Sequence, residues 1–152
     1  MRTRVQAHVC YRLMYHVVWI PKYRYKVLVG DLQKYFEQVI RTRTKERYPD
    51  VDIEEMKIMV DHIHIVLTIP PKYAVSKVVG DMKRDSSREL RKRFEYLRRG
   101  RDGMWSIGYY VSSVGLDEAR VKRYVEYQEE QDSGRQYAVW ERETTGKAKR
   151  HP

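Results

Sequence analysis

The sequence contains no asparagine, only one cysteine and two phenylalanines, and no long hydrophobic run. Because a single thiol, Cys10, cannot close a disulfide within the chain, a reducing and therefore cytoplasmic setting is expected. Every apolar run falls short of the roughly 20 residues that a membrane-spanning helix requires. The N-terminal residues lack the apolar segment of a signal peptide. We therefore expect a cytoplasmic protein that makes no membrane contact.

Acidic residues are scarce relative to basic ones. There are 31 lysines and arginines against 21 aspartates and glutamates, which gives a net charge of +10 and a pI near 9.7. Such a surplus favours a polyanionic partner, most often nucleic acid. The alternative is a basic protein whose charges are only solvated. The length of 152 residues fits one domain with a single core.

Hydrophobic patterning predicts four strands and three helices in the order βαββαβα. Asp31 is placed to cap the first helix, and the residues around Asp61 to form a tight hairpin. The first six elements match the ferredoxin-like α+β pattern, an antiparallel sheet with helices on one face. We predict one domain over residues 1–132 and a polar, poorly ordered tail over 133–152. The strands are predicted over 11–20, 51–60, 62–69 and 104–115, and the helices over 32–48, 74–97 and 116–131.

Two histidines lie one residue apart in the apolar stretch VDHIHIVL. On a strand His62 and His64 point to the same face, whereas Ile63 and Ile65 point to the other. One interpretation is a pair of half-exposed polar residues on the open face of a sheet. The other is a pair of ligands for a divalent ion, which would need a third ligand because two imidazoles make an incomplete site.

The last predicted helix offers further candidates. Tyr124 and Gln128 are four residues apart and share a helical face. A glutamine carbonyl oxygen can bind a metal, and a phenol can act as a nucleophile. The alternative is a packing tyrosine beside a solvated glutamine. Tyr127 is the second candidate for the nucleophile, although it points to a different side of the helix.

These residues together resemble the single-tyrosine HUH transposases of small bacterial and archaeal insertion sequences. The resemblance depends first on His-x-His in DHIHIVL and on Tyr-x-x-x-Gln in YVEYQEEQ, about sixty residues later. Three more stretches are similar to the family's first strand, basic helix and fourth strand: YHVVWIPKYR, KVVGDMKRDSSRELRKRF and WSIGYYVSSVG. The resemblance covers about residues 11–131, most of the chain.

The resemblance implies an enzyme that cleaves and rejoins single-stranded DNA at insertion-sequence ends. It implies that Tyr124 forms a 5′-phosphotyrosine and that His62, His64 and Gln128 bind Mg²⁺ or Mn²⁺, although Zn²⁺ would suit imidazoles as well. No nucleotide cofactor is expected, because the covalent link conserves the free energy of the phosphodiester. The family works as a homodimer, typically with the tyrosine helix of one subunit completing the histidine pair of the other. The sequence leaves open whether Tyr124 acts within its own chain.

Two basic stretches are candidates for DNA contact. Lys22, Tyr23 and Arg24 combine charges for phosphates with a ring for base stacking. On the second helix, Lys83, Arg84 and Arg88 would bind the DNA hairpins that the family recognises at element ends. For each stretch the alternative is a solvated surface. His16, on the first strand, is interpreted as structural.

Three other functions stay open from the sequence. The first is a ferredoxin-like nucleic-acid-binding module without catalysis, in which the histidines are incidental. The second is a domesticated HUH nickase that acts on hairpins repeated in its host chromosome. The third is a metal-dependent phosphoesterase without a covalent step, which would survive the loss of Tyr124.

Overall fold

The computed structural model describes residues 4–6, 9–11, 13–98, 103–113 and 118–145. A short N-terminal hairpin, which was not predicted, precedes a βαββαβ unit, and one long helix follows it. Two 3₁₀ turns, over Lys22–Arg24 and Glu95–Arg98, follow the first strand of that unit and its second helix. The strands are β1 (Arg4–Gln6), β2 (Val9–Tyr11), β3 (Met14–Trp19), β4 (Asp52–Ile58), β5 (Ile63–Thr68) and β6 (Tyr110–Ser112), and the helices are α1 (Gly30–Arg47), α2 (Val75–Arg93) and α3 (Glu118–Thr145).

The main sheet is antiparallel, with its four strands in the order β4-β5-β3-β6. Strands β4 and β5 form the predicted tight hairpin, in which the Met59 N–H donates to the His62 carbonyl at 2.8 Å. Strand β5 therefore lies between the two strands that flank α1 in sequence, which is the split arrangement of ferredoxin-like folds. The predicted fold class is confirmed.

Helices α1 and α2 cover one face of this sheet and enclose the core. Alternate side chains of β5, including Ile63 and Ile65, are fully buried there because successive residues of a strand face opposite sides. Trp105 packs edge-on against Trp19 of β3 and Phe36 of α1, with ring centroids 5.9 Å and 5.3 Å apart. The segment that leads into β6 is therefore anchored in the core.

Helix α3 lies across the opposite face of the sheet. Its Val125 is buried, and the helix packs against the turn at Lys22–Arg24, where Asp132 accepts the Tyr23 N–H and Glu129 binds Arg24. The second sheet consists only of β1 and β2, paired antiparallel. No helix in the part of the chain that the structure describes is long and apolar enough to span a membrane.

Three details differ from the sequence predictions. Asp31 does not cap α1: the N-cap is Val29, and Asp31 lies in the first turn, where the helix dipole favours its charge. In the described part of the strand predicted over 104–115, only Tyr110–Ser112 forms a strand, with a single bridge from Trp105 to Pro21. Between them, side chains bind the carbonyls of Ser106, Ile107 and Gly108.

The third difference concerns the predicted poorly ordered tail. Helix α3 continues through residues 133–145, so that this part of the tail is helical. The division of the chain into a domain over 1–132 and a tail over 133–152 stays a prediction. Residues 146–152 lie outside the described part.

Candidate metal and tyrosine site

The histidine pair lies on the open face of the sheet, as predicted. His62 ends the β4–β5 turn and His64 follows within β5, while Ile63 between them points into the core. Together they line a pocket of about 470 Å³ between the sheet and α3. The other described residues around it are Arg24, Lys57, Met59 and Asp61 on the sheet side and Val121, Lys122 and Val125 on α3.

Asp61 orients the first of these histidines. Its Oδ1 lies 2.9 Å from Nδ1 of His62. Burial opposes ionisation of Asp61, but hydrogen bonds from His62 and Arg24 outweigh it and lower the pKa of the carboxyl. An ionised carboxylate can only accept, so Nδ1 of His62 carries a hydrogen, and in the neutral form of the ring the lone pair is then on Nε2. This is the arrangement in which a carboxylate prepares a metal-binding imidazole.

His64 is partly buried and contacts a third imidazole. Its Nε2 lies 3.3 Å from Nδ1 of His16, and the ring centroids are 5.5 Å apart. Burial lowers the pKa of His64, and the neighbouring His16 lowers it further. The neutral form, which is the metal-binding form of imidazole, is therefore favoured at neutral pH. His16, interpreted from sequence as structural, supports His64 through this contact.

The donor set fits a divalent ion only in part. Two imidazoles are suitable ligands, and the hydrogen bond to Asp61 fixes a hydrogen on Nδ1 of one of them. Among the described residues, no three histidine, cysteine, aspartate or glutamate side chains are close enough together to hold a metal ion. A complete site therefore needs a ligand of another kind, such as an amide, a phosphate oxygen or water, or a ligand from another chain.

Tyr124 and Gln128 share one face of α3, as predicted, but that face is turned towards β6. The ring of Tyr124 packs against Tyr110 at 5.9 Å between centroids. Tyr110, Val18 and His64 form one row across three strands. Neighbouring strands are about 4.8 Å apart, so Tyr110 and His64 are separated by about 10 Å. Within one chain, the tyrosine is beside the histidine pocket and not in it.

The hydroxyl of Tyr124 is buried and has no hydrogen-bond partner among the described residues. Burial raises the pKa of this phenol, and the negative charge of Asp132 raises it further. The phenol is therefore neutral at physiological pH. The competing candidate, Tyr127, is 56% exposed and lies on the outer side of the helix.

The amide of Gln128 is held by a hydrogen-bonded cluster around residues 106–108. Its Nε2 donates to Oγ of Ser106 at 2.8 Å and to the carbonyl of Ile107 at 2.6 Å. Oγ of Ser106 donates in turn to Asp132, at 3.0 Å. From the opposite side, Nζ of Lys83 donates to the carbonyls of Ser106 and Gly108 at 2.8 Å and 2.6 Å. The cluster thus connects α2 and α3 through one irregular segment.

Two charged members of this cluster were not identified as such from the sequence. Asp132 is completely buried and also accepts the Tyr23 backbone N–H at 2.9 Å. Burial lowers the pKa of Lys83 to about 8, although the charge of Asp132 opposes the shift. Their roles depend on neighbours that are distant in sequence, so local patterns carried no signal for them. For Asp61, by contrast, the sequence carried a local signal, because it directly precedes His62.

The first predicted DNA-contact segment forms a tight turn. Tyr23 and Arg24 have backbone φ angles of 58° and 56°, in the left-handed region that residues other than glycine rarely adopt. The amine of Lys22 lies 5.8 Å from the centre of the Tyr23 ring. The guanidinium of Arg24 binds two carboxylates, Asp61 and Glu129.

The second predicted segment lines a basic groove of about 760 Å³ between α2 and residues 103–108. Arg84 and Arg88 each donate to an aspartate on their own helix, Asp81 and Asp85, yet both side chains are about half exposed or more. Trp105 and Ile107 add apolar surface to the groove. The basic residues that line it are Lys83, Arg84, Arg88, Arg91, Lys92 and Arg98.

Comparison with known proteins identifies relatives over most of the chain. The family described as "Transposase IS200 like" matches residues 9–128. The transposase of insertion sequence element IS200 from Salmonella typhimurium is 35% identical over 137 residues, which cover 88% of each chain. The ISDra2 transposase TnpA of Deinococcus radiodurans is 27% identical over 125 residues, covering 80% of this chain and 88% of the relative.

A solved structure shows the same relationship in three dimensions. A crystal structure of a Deinococcus radiodurans R1 protein, assigned as a transposase, superposes with a TM-score of 0.74 at 25% identity. The superposition covers 82% of this chain and 97% of that one. The family match extends from β2 to Gln128 of α3 and so includes both the histidine pair and the tyrosine. The chain therefore belongs to the family of IS200-like transposases.

Proposed function

We propose that this transposase cleaves and rejoins single-stranded DNA through a covalent bond between Tyr124 and a 5′ phosphate. Membership of the family implies cleavage and rejoining of DNA; the nucleophile, the metal, the hairpin substrate and the dimer are our proposal. The observation that carries it is the Tyr124 hydroxyl, which is buried and unpartnered in the described part of the chain. A polar group in that condition is costly, and one explanation is a catalytic role.

The proposed step is an exchange of one phosphodiester bond for another. The phenol oxygen of Tyr124 forms a bond to phosphorus while the bond from phosphorus to the 3′ oxygen breaks, and the phenol proton ends on that 3′ oxygen. Because the pKa of Tyr124 is raised in the docked position, the hydroxyl must leave its apolar contact with Tyr110 to become reactive. Rejoining reverses the exchange and needs no nucleotide cofactor.

His62, His64 and Gln128 are the proposed ligands of a Mg²⁺ or Mn²⁺ ion. The chemistry that such an ion supplies is polarisation of the phosphate oxygens and stabilisation of the leaving 3′ oxygen. Asp61 contributes by holding His62 with Nε2 free. Gln128 would have to exchange its hydrogen bonds to Ser106 and Ile107 for the histidine pocket.

A second copy of the chain is the proposed source of the missing tyrosine and glutamine. In one chain, the face of α3 that carries Tyr124 and Gln128 is directed at β6, whereas Val121 and Val125 face the histidines. An α3 from a partner subunit could bring the catalytic face to the pocket. We therefore propose a homodimer in which the active site is shared between subunits.

The basic groove is the proposed binding surface for a DNA hairpin. Its charges are spaced along α2, as contacts with successive phosphates require. The exposed fractions of Arg84 and Arg88, 64% and 46%, leave guanidinium donors available besides those bound to Asp81 and Asp85. A cytoplasmic location stays a prediction.

A covalent-capture assay tests this function. Labelled single-stranded DNA with a hairpin from the flanks of the gene is mixed with the protein, with and without Mg²⁺ or Mn²⁺. We expect a denaturation-resistant adduct that depends on the metal, maps to Tyr124 and is absent in Tyr124→Phe, while hairpin binding is retained. Tyr127→Phe is the matched control and should react normally.

The other outcomes separate the remaining hypotheses. Hairpin binding without an adduct under either metal would indicate a nucleic-acid-binding module. Cleavage that persists in Tyr124→Phe would indicate a phosphoesterase that uses water. Reaction only with hairpins repeated in the host chromosome would indicate a domesticated nickase.

A further inference from the structure

Arg24 lies between the histidine pocket and helix α3 and binds a carboxylate on each side. Its Nε donates to Oδ2 of Asp61 at 2.9 Å, and its Nη1 donates to Oε2 of Glu129 at 2.8 Å. Asp61 also accepts the hydrogen on Nδ1 of His62. A continuous chain of contacts, His62–Asp61–Arg24–Glu129, therefore connects the histidine pair with the residue that follows Gln128.

The backbone around Arg24, at the centre of this bridge, is held in an unfavourable conformation. Tyr23 and Arg24 are consecutive residues with positive φ, which non-glycine residues adopt rarely. The Tyr23 N–H is bound by the buried carboxylate of Asp132, and the Lys22 N–H by the carbonyl of Met104 at 2.8 Å. Strain of this kind persists only where the surroundings enforce it, and it concentrates at functional sites.

The bridge is shielded from solvent at the Asp61 end, where an ion pair is stronger than on an open surface, and more open at the Glu129 end. The Asp61 side chain is 14% exposed, that of Arg24 is 33% exposed and that of Glu129 is 44% exposed. The two carboxylates raise the pKa of Arg24 further above its ordinary value, Glu129 contributing most. Two of the guanidinium nitrogens are thus committed to protein carboxylates, in a fork geometry that lysine cannot reproduce.

We propose that Arg24 is a positioning residue that couples the metal-binding histidines to the docked tyrosine helix, and that it is not a phosphate contact. This inference builds on the proposed function, because it assigns His62 and α3 their catalytic roles. Through Asp61, Arg24 fixes the orientation of His62. Through Glu129, it fixes the position of α3 beside the pocket.

Hydrogen exchange in a double-mutant cycle tests the coupling to the helix without metal or DNA. We expect Arg24→Gln and Glu129→Gln each to accelerate amide exchange in residues 119–132 about two- to fivefold, since partly exposed ion pairs are modest in strength. The double variant should exchange no faster than Arg24→Gln alone, because both changes remove the same contact. Glu126→Gln, on an exposed position of α3, and Lys26→Gln, two residues after Arg24, are the matched controls and should leave exchange unchanged.

Salt-dependent hairpin binding distinguishes positioning from phosphate contact. A phosphate contact would lower the slope of log K against log salt by about 1 in Arg24→Gln. We expect the slope of the wild-type protein to be retained. A reduced slope together with unchanged hydrogen exchange would overturn the proposal.

Metal titration tests the coupling to the histidines. We expect Asp61→Ala to weaken Mn²⁺ binding about 10–100-fold, as for other carboxylates behind metal-binding histidines. Arg24→Gln should raise the half-maximal Mn²⁺ concentration for binding and for adduct formation by a smaller factor. For Arg24→Lys we expect a half-maximal concentration between those of the wild-type protein and Arg24→Gln. Equal Mn²⁺ binding by wild type and Arg24→Gln would contradict this part of the proposal.

The outcomes separate this inference from the proposed function. If the wild-type protein bound no Mn²⁺ and formed no adduct, the proposed function would fail, while the exchange cycle would still decide whether Arg24 holds α3. If adducts formed normally but the exchange cycle were additive, the coupling through Arg24 would be wrong and the proposed chemistry would stand.

Discussion

At the scale of one residue, Tyr124, the proposed nucleophile, has an unfavourable environment for its hydroxyl. Its hydroxyl is shielded from water and has no hydrogen-bond partner among the described residues. A packing tyrosine would usually find such a partner when buried. The ring itself makes a favourable aromatic contact with Tyr110, so the cost is confined to one oxygen.

Replacing this hydroxyl by hydrogen should therefore stabilise the protein. For Tyr124→Phe we expect the free energy of unfolding in urea to rise by about 1 kcal/mol, because an unpaired buried polar group is removed while the ring is kept. Tyr127→Phe, at an exposed position, should change it by less than about 0.5 kcal/mol. A loss of stability in Tyr124→Phe would mean that the hydroxyl is paired in solution.

Lys83 predicts a pH dependence that can be measured directly. Burial lowers the pKa of Lys83 to about 8 from an ordinary value of 10.5. Between these two values the unfolded chain binds more protons than the folded one, so Lys83 makes the free energy of unfolding rise with pH. The penalty for its buried charge applies in full below about pH 8.

We expect this rise to disappear in Lys83→Met. The measurement is the free energy of unfolding at several values between about pH 8 and pH 9.5, below the range in which tyrosines ionise. Lys34→Met, at an exposed position on α1, is the control and should keep the rise. An identical pH profile for wild type and Lys83→Met would show that Lys83 is solvated.

At the scale of elements, α3 is held by both apolar and polar contacts. Val125 is its main buried apolar residue in the described side chains, and Gln128 and Asp132 supply buried polar contacts one and two turns beyond Tyr124. These buried polar contacts would have to be exchanged for others if α3 moved away from the sheet. Reorientation of α3 is what the proposed shared active site requires.

Asp132→Ala should loosen this attachment. The change leaves the Tyr23 N–H and the Ser106 hydroxyl without their acceptor, so we expect a loss of about 1–3 kcal/mol in the free energy of unfolding. Hydrogen exchange should accelerate in residues 119–132 and at residues 22–24. Glu130→Ala, on the exposed side of α3, serves as the control; equal behaviour of the two variants would show that Asp132 does not anchor the helix.

At the scale of the whole molecule, the residues of the proposed active site are divided between two locations. The histidine pocket and Tyr124 lie on the same face of the sheet, but His64 belongs to β5 whereas Tyr124 of α3 packs against β6, with β3 between the two strands. The basic groove lies on the other side of the 106–108 segment, against α2. Lys83 lines this groove and also binds the carbonyls of Ser106 and Gly108, so a polyanion bound in the groove would contact the cluster that holds Gln128. The proposed assembly with a second copy would disturb the same cluster, because it requires α3 to move.

Mixing two inactive variants should restore activity if the site is shared between subunits. One variant carries Tyr124→Phe and the other carries His62→Ala with His64→Ala. We expect metal-dependent adducts in the mixture, on the Tyr124 of the histidine-deficient chain, because a heterodimer contains one intact combination. The separate variants are the controls. Inactivity of a mixture proven to contain heterodimers would indicate that Tyr124 reaches the histidines of its own chain.

Sequence patterns were sufficient for the fold and for the types of residue in the site. Alternation of apolar residues identified the strand with His62 and His64 on one face, and i, i+4 spacing put Tyr124 and Gln128 together on one helix. Both are local properties, because the periods of strand and helix are fixed by the backbone. Asp31 was wrongly placed as a cap because the helix begins at Gly30, with φ of +57°, two residues before the predicted start at Leu32.

The sequence by itself therefore determined the ferredoxin-like fold, the shared face of the two histidines and the pairing of Tyr124 with Gln128. Only the tertiary structure decided where α3 directs that pair, and that Arg24 binds carboxylates. The contact of Arg24 with Glu129 joins residues 105 positions apart, and that of Tyr23 with Asp132 joins residues 109 apart. Such contacts follow from the packing of the folded chain, which local periodicity does not encode.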